Sequence, residues 1–150
     1  MRVLVTAGPT HEYIDDVRFI SNPSSGQMGY AVAAAAVRRG HDVVLISGPS
    51  MLRPPRAMRV VGVVSAREML KATLEHFGQC DCLIMTAAVG DYRPESRVFG
   101  KIKKEARDTL VLRLVRNPDI LAECGRRRKR GQVLIGFALE SVGDRPRSPT

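Results

Sequence analysis

The chain has 150 residues, enough for one domain with its own hydrophobic core. Hydrophobic residues make up 44% and charged residues 26%, which is ordinary for a globular protein and excludes a disordered or fibrous chain. No apolar run reaches the length of a membrane span, and the N-terminus lacks a signal-peptide pattern. We therefore expect a cytoplasmic protein with no membrane partner.

The formal net charge of +9 favours acidic partners, either nucleic acid or small phosphorylated molecules. Much of this charge lies in the basic run at 126–130. Basic residues near the C-terminus of a helix complement its dipole, so a solvated helix end explains the run. No aromatic residues alternate with these positions, as they would in a site for single-stranded nucleic acid. The sequence therefore predicts no nucleic-acid partner.

The first 48 residues have the pattern of strand, glycine-rich turn, helix and strand. Residues Val3 to Thr6 form a short apolar run rich in β-branched side chains, typical of a buried parallel strand. A polar loop of about fifteen residues follows, and loops of that length are usually functional. An alanine-rich helix is then predicted to be capped by Ser24 or Ser25 and to end at Gly40. Asp42 to Ser47 are predicted to form the second strand.

The glycine-rich turn at the start of this helix predicts an anion site. Backbone N–H groups and the positive end of the helix would point at one spot, which favours a phosphate or a carboxylate. Gly26 would let the backbone approach the anion, and Gly29 would let the helix pack closely on the sheet. The spacing of the two glycines is only half of a dinucleotide fingerprint, so a purely structural turn stays the alternative.

The rest of the chain alternates predicted strands and helices. Ser65 and Glu68 have capping-box spacing, and Asn117 is predicted to cap the last helix with Pro118 at its first position. Further strands are predicted over 59–64, 82–88, 109–114 and 133–138. This alternation indicates an α/β, Rossmann-like three-layer fold with a mostly parallel sheet and helices on both faces. We expect a single domain over 1–141 and a disordered tail over 142–150.

Two later stretches have the composition of a ligand site. The strand predicted to end at Ala88 leads into Val89-Gly90-Asp91, and small residues followed by a carboxylate are typical of the crevice at the carboxyl end of a parallel strand. Residues 95–108 are polar and include Lys-Ile-Lys-Lys at 101–104. Lysines on a flexible segment can close over a polyphosphate. A solvated loop is the plainer interpretation, and the spacing alone favours it.

Six short motifs occur in the order found in one enzyme family. They are TAGPTHEYIDDVRFISNPSSGQMG, LISGP, TAAVGDYRP, KIKK, NPDIL and GFALE, and together they span about residues 3 to 141. On these motifs the chain resembles the phosphopantothenate–cysteine ligases of coenzyme A biosynthesis. The segments SNPSSG and NPDIL resemble the bacterial, CTP-using type rather than the ATP-using eukaryotic type.

The resemblance implies a two-step reaction. The carboxylate of 4′-phosphopantothenate would attack the α-phosphate of CTP and release pyrophosphate, with Mg²⁺ accompanying the triphosphate. The amine of L-cysteine would then capture the acyl-cytidylate, giving phosphopantothenoylcysteine and CMP. Both phosphorylated substrates are anionic, so the reaction needs positioning and charge stabilisation more than a protein nucleophile. The resemblance also implies a homodimer.

The same motifs carry implied residue roles. Asn22 would hold the carboxyl or acyl-phosphate group, and Lys101 would stabilise charge on the phosphates. The anion site would be lined by residues of the glycine-rich turn: Ser24, Ser25, Gly26 and Gly29. Nucleotide contacts would come from four segments: Met85, Thr86, Ala87, Asp91, Lys101, Pro118, Asp119, Ile120, Leu121 and Phe137. Asp91 would also lie near the metal ion.

The end of the chain departs from the family pattern. The family continues with a helix carrying further triphosphate-binding lysines and another strand, and residues 142–150 resemble neither. We therefore expect either a fragment or a diverged end, which would weaken or abolish ligase activity. The second hypothesis is a non-catalytic Rossmann-like nucleotide-binding module, and a basic nucleic-acid-binding protein is a distant third. The second strand ends without the carboxylate that binds the ribose of NAD, which argues against that cofactor.

Overall fold

A computed structural model of the chain describes residues 1–104 and 109–138. The strands in these ranges are β1 (Arg2–Ala7), β2 (Glu12–Tyr13), β3 (Phe19–Ile20), β4 (Asp42–Ser47), β5 (Arg59–Gly62), β6 (Cys82–Met85), β7 (Tyr92–Pro94), β8 (Leu114–Arg116) and β9 (Val133–Gly136). The helices there are α1 (Gln27–Arg38), α2 (Ala66–Phe77) and α3 (Ile120–Arg126). The tail predicted at 142–150 lies outside the described residues. Neither described range contains a helix long and apolar enough to cross a membrane.

Five strands form one parallel sheet in the order β5–β4–β1–β6–β9. In its centre, Thr6 of β1 pairs with Ile46 of β4 on one side and with Met85 of β6 on the other. Because all five strands run the same way, their carboxyl ends lie along one edge. Ligands of open α/β sheets bind in crevices outside this carboxyl edge.

Helices cover both faces of the sheet. On one face α1 packs over a core that includes Val5, Ala33 and Leu45. On the other face α2 and α3 pack over a core that includes Leu4 and Leu83. Successive strand residues point to opposite faces, so neighbouring residues of β1 belong to different cores. This arrangement confirms the predicted α/β, Rossmann-like fold.

The strand predicted over 109–114 is wrong in its position. The structure has β8 at Leu114–Arg116, paired antiparallel with β7 outside the main sheet. Leu110 and Val111 precede it with side chains 57% and 89% exposed. The apolar alternation of this stretch is real, but alternation does not specify which sheet a strand joins. The strands predicted to end at 64, 88 and 138 also stop earlier, at 62, 85 and 136.

The start of α1 differs from the prediction. Its N-cap is Gly26, in a left-handed conformation with φ 82°, rather than Ser24 or Ser25. A β-carbon on Gly26 would lie 3.1 Å from backbone atoms of Gly8, so close approach to the neighbouring loop requires glycine here. The predicted end is confirmed, because Gly40 follows the helix with φ 77°.

The start of α3 also differs. Asp119 is its N-cap, and the Asp119 side chain accepts a hydrogen bond from the Ala122 N–H at 2.9 Å. The predicted cap Asn117 and the predicted first-turn Pro118 therefore both precede the helix. Asn and Asp are nearly equal as caps, so composition alone could not rank the two residues.

Gly29 allows α1 to pack directly against the sheet. A β-carbon at this position would lie 2.4 Å from both Ala7 Cβ and Thr86 Oγ1. We expect Gly29→Ala to lower the free energy of unfolding by about 1–3 kcal/mol, because the added methyl group must displace packed neighbours. Gly125→Ala in α3 is the matched control, since nothing lies within 4 Å of a β-carbon there. Urea denaturation would measure both variants, and equal losses would contradict the packing argument.

Candidate functional site

Two clefts at the carboxyl edge of the sheet contain predicted site residues. The first, called the α3 cleft, has a volume of about 700 Å³ and lies between the loop after β6 and the turn before α3; its lining includes Met85, Ala87, Val89, Asp91, Arg116, Pro118, Asp119, Ile120, Leu121 and Phe137. The second, called the α1 cleft, has a volume of about 820 Å³ and lies between the loops after β1 and β4; its lining includes Pro9, Phe19, Ser21, Asn22, Pro23, Ser24, Ser25, Pro49, Met51 and Leu52. Residues from distant parts of the sequence thus meet at one edge.

The α3 cleft collects eight of the ten residues predicted to contact a nucleotide. The side chain of Thr86 is directed elsewhere: its hydroxyl donates to the Thr6 carbonyl oxygen at 2.7 Å, on the side where Gly29 packs. Its predicted role can therefore involve only main-chain atoms. Lys101 lies on a separate segment beside the loop 14–18.

Asn117 joins the two walls of the α3 cleft. Its Nδ2 donates to the Gly90 carbonyl oxygen at 2.8 Å, and its Oδ1 accepts from Arg93 Nη1 at 3.1 Å. Its backbone N–H donates to the Asp91 carbonyl oxygen at 2.7 Å. The side chain is buried, so these bonds form out of water. Asn117 therefore holds the loop after β6 against the turn before α3, a role that its cap-like sequence context did not reveal.

Asp91 is the residue predicted to lie near a metal ion. Its side chain is exposed in the α3 cleft. Within residues 1–104 and 109–138 there is no group of three or more side chains that could hold a metal by itself. Mg²⁺ commonly binds through one or two carboxylates while substrate phosphates and water supply the other ligands. Asp91 therefore fits a metal that arrives with a polyphosphate.

Asn22 connects the linings of the two clefts. It lines the α1 cleft, and its Nδ2 donates to the carbonyl oxygens of Val89 at 3.2 Å and Ala88 at 3.5 Å, in the loop that borders the α3 cleft. The neighbouring Ser21 hydroxyl donates to the Thr10 carbonyl oxygen at 2.8 Å. The amide of Asn22 therefore connects the two loops, and a ligand that reached from one cleft to the other would pass beside it.

Only two of the four residues of the predicted anion site line a cleft. Ser24 and Ser25 line the α1 cleft, and their hydroxyls accept from the backbone N–H groups of Gly26 at 3.3 Å and Gln27 at 3.4 Å. Gly26 and Gly29 are buried against the sheet behind the cleft. Close packing at both glycines fits the structural turn that was the alternative in the sequence, and contacts of all four residues with a ligand stay predictions.

Lys101 belongs to a segment that is attached to the loop 14–18. The Gly100 N–H donates to Asp16 Oδ2 at 2.7 Å, and the Ile102 N–H donates to Asp15 Oδ2 at 3.0 Å. The Lys101 side chain itself is exposed. The stretch that composition described as mobile is therefore hydrogen-bonded on both sides of the predicted catalytic lysine.

Asp15 is a fully buried carboxylate surrounded by donors. Burial alone would raise its pKa. The backbone N–H groups of Arg18, Ile102 and Val17, with the Arg18 guanidinium, instead lower the pKa of the Asp15 carboxyl to about 2. The folded protein therefore stabilises the ionised form of Asp15.

This pKa predicts acid sensitivity. A carboxyl with a lower pKa in the folded than in the unfolded state stabilises the fold fully above its ordinary pKa of 3.8, and that contribution is lost as pH falls toward about 2. We expect Asp15→Asn to have a lower Tm than wild type at pH 6, with a difference that narrows between about pH 4 and pH 2. Calorimetry across this range would test it, and a difference independent of pH would contradict it.

Comparison with known proteins connects this architecture to a family. The model for the C-terminal domain of DNA/pantothenate metabolism flavoproteins matches residues 1–146. The chain belongs to this family. It is 44% identical over 143 residues to the coenzyme A biosynthesis bifunctional protein CoaBC of Escherichia coli K12, an alignment that covers 94% of this chain and 35% of that protein. The family that the six motifs indicated is thereby confirmed.

Two other relatives extend the comparison. A protein named cysteine/cysteine sulfinic acid decarboxylase, from an unknown prokaryotic organism, is 48% identical over 141 residues, with 93% of this chain and 39% of that protein covered. The crystal structure of the C-terminal domain of CoaBC superposes with a TM-score of 0.81 at 46% identity, over 95% of this chain and 66% of that one. The chain thus spans little more than a third of the length of these curated relatives.

Within this family domain, the sequence motifs and the clefts coincide at the carboxyl edge. Sequence reasoning missed the loop-positioning roles of Asp15, Asn117 and Arg93. One local signal could have indicated the turn at Asp15. An aspartate often accepts hydrogen bonds from the backbone N–H groups two or three residues later, as Asp15 does from Val17 and Arg18. Its contact with Ile102, 87 residues away, had no local signal.

Proposed function

We propose that the chain carries phosphopantothenate–cysteine ligase chemistry, in which CTP activates the carboxylate of 4′-phosphopantothenate and L-cysteine captures the acyl-cytidylate. The main support is the hydrogen bond from Asn22, which lines the α1 cleft, to Val89, which lines the α3 cleft. The reaction must bring a carboxylate next to the α-phosphate of a nucleotide, and this bond links the two clefts that would hold them. The names of the CoaBC relatives, which refer to coenzyme A biosynthesis, support the same activity.

In this proposal the nucleotide occupies the α3 cleft. Main-chain groups of residues 118–121 would contact the cytosine, and Phe137, whose side chain is 56% exposed, would pack against the nucleotide. Arg116 places a positive charge on the same cleft. Asp91 would bind Mg²⁺ together with phosphate oxygens. The metal would supply neutralisation of the triphosphate charge.

The α1 cleft would take 4′-phosphopantothenate. Its wall combines apolar surface from Phe19, Met51 and Leu52 with the hydroxyls of Ser24 and Ser25. A ligand with methyl groups, amides and one anionic end suits such a mixed surface. The substrate carboxylate would lie at Asn22, at the end of the cleft nearest Val89. As in the family resemblance, we propose a homodimer.

The residues would act by positioning the substrates and by stabilising negative charge during the reaction. A carboxylate oxygen forms a bond to the α-phosphorus of CTP while the bond to pyrophosphate breaks. The Asn22 amide has two N–H groups, so one can remain on Val89 while the other donates to the acyl oxygen. Lys101 would stabilise negative charge on the phosphates. In the second step the cysteine amine bonds to the acyl carbon, CMP leaves, and the amine releases one proton.

Pyrophosphate release tests this function. The protein would be incubated with CTP and Mg²⁺, with and without 4′-phosphopantothenate and L-cysteine, and with ATP in parallel. Release that requires phosphopantothenate and prefers CTP is the expected result. CTP binding by calorimetry without any release would instead favour a non-catalytic nucleotide-binding module.

A further inference from the structure

The segment 98–104, called the flap, is attached to the loop 14–18 through two consecutive aspartates. Asp15 Oδ2 accepts from the Ile102 N–H at 3.0 Å, and Arg18 Nη1, which donates to the same Asp15 oxygen at 2.6 Å, also donates to the Ile102 carbonyl oxygen at 3.3 Å. Both backbone polar groups of Ile102 are thus bound by one ion pair. The attachment bridges 87 residues of sequence.

The second attachment lies on the other side of Lys101. Asp16 Oδ2 accepts from the Gly100 N–H at 2.7 Å, and the Asp16 N–H donates to the Gly100 carbonyl oxygen at 3.2 Å. Asp16 Oδ1 accepts from Arg97 Nη2 at 2.8 Å. The residues before and after Lys101 are therefore both held by backbone bonds, while the lysine side chain stays exposed.

We propose that Asp15 and Asp16 are positioning residues, a carboxylate clamp that sets the place of Lys101 on the flap. The hydrogen bonds of the clamp do not depend on the protein's activity. Their effect on the reaction rests on the proposed ligase function. Two fixed peptide groups restrict the Lys101 backbone, so less conformational freedom is lost when its ammonium group meets the phosphates in the proposed reaction.

The two oxygens of the Asp15 carboxylate have different partners, which shows that the residue does more than complete a local turn. Oδ1 accepts from the N–H groups of Val17 at 2.8 Å and Arg18 at 2.6 Å, which completes the local turn. Among the described residues, the hydrogen bonds to Oδ2 come from the Arg18 guanidinium and from the flap. An asparagine would complete the turn equally well, but its amide would point a donor at these two donors. Only the ionised carboxylate satisfies both sides, and its lowered pKa agrees with that.

Asp15→Asn therefore tests the clamp selectively, since it keeps the turn and removes the flap contact. We expect trypsin to cleave after Lys101 about tenfold faster than in wild type, relative to cleavage after the exposed Arg39, because a charge-assisted bond to the flap is lost. The ratio corrects for global unfolding, which would speed both cleavages.

Glu95→Gln is the matched control. It removes the same charge from a half-exposed carboxylate that lies 3.5 Å from Arg113 Nε, and no hydrogen bond connects it to the flap among the described contacts. We expect its cleavage ratio to equal that of wild type. An unchanged ratio in Asp15→Asn, or an equal rise in Glu95→Gln, would overturn the clamp.

The kinetics of pyrophosphate release test the effect of the clamp on the reaction. We expect Asp15→Asn to lower kcat for pyrophosphate release about tenfold with little change in the KM for CTP, and to have no further effect in a Lys101→Ala background. Additive effects in the double variant would overturn the claim that Asp15 acts through Lys101. If the wild-type protein releases no pyrophosphate, the proposed function fails, and the cleavage ratio still decides whether the clamp exists.

Discussion

Lys101→Ala is expected to slow phosphopantothenate-dependent pyrophosphate release by roughly 100- to 1,000-fold, the loss typical of removing one group that stabilises transition-state charge. The side chain is exposed and its backbone is held on both sides, so truncation should leave the fold unchanged. The decrease should fall mainly on kcat, because the charge on the phosphates grows as the bond to pyrophosphate breaks.

Lys104→Ala is the control for this variant. It removes an equal charge from an exposed lysine three residues further along the same segment. Its rate should stay close to that of wild type, because the clamp places position 101 and not position 104. Initial rates of pyrophosphate release would be compared, with circular dichroism to confirm folding. Equal losses in both variants would mean that only the general charge of the segment matters.

Asn22→Ala is expected to reduce formation of phosphopantothenoylcysteine by a similar factor, roughly 100- to 1,000-fold, because the amide would no longer donate to the acyl oxygen between the two clefts. The bond from Nδ2 to the Val89 carbonyl oxygen would also be lost, which loosens the loop after β6. Asn22→Asp should be at least as impaired. Its carboxylate would face the substrate carboxylate, which is negatively charged, and the Val89 carbonyl oxygen, a second acceptor with partial negative charge.

Gln27→Ala is the control for position 22. Gln27 is exposed at the first position of α1 and lines neither cleft, so its loss should not affect the rate. Product formation would be followed with CTP, Mg²⁺, phosphopantothenate and cysteine all present. Wild-type rates for Asn22→Ala in a correctly folded protein would remove the acyl-group role from this residue.

Local signals in the sequence were sufficient to place the strands of the central sheet and its first two helices to within a few residues. The second strand was predicted at its observed bounds, Asp42–Ser47, because a continuous apolar run bounded by Gly40 and Pro49 leaves little choice of register. The capping box of α2 forms as predicted, with Ser65 Oγ accepting from the Glu68 N–H at 3.2 Å. Such features depend on residues within a few positions of one another.

Errors arose where a residue's partner lies far along the chain. Asn117 resembles a helix cap, yet it bonds Gly90 and Arg93 in the loop after β6. The apolar stretch at 109–114 resembles a sheet strand, yet the chain pairs further on, where β8 meets β7. In each case a long-range contact outweighed a local propensity that is worth only about 1 kcal/mol.

The sequence by itself determined the α/β class, the family, and the residues that line the carboxyl edge, because periodicity and short motifs are local properties. Only the tertiary structure decided how those residues divide between two clefts, that Thr86 turns its hydroxyl away from them, and that Asp15 holds Ile102 beside Lys101. These facts depend on parallel strands ending at a common edge and on loops meeting across it. Contacts of that kind join residues 66 to 87 positions apart, a separation that no local pattern encodes.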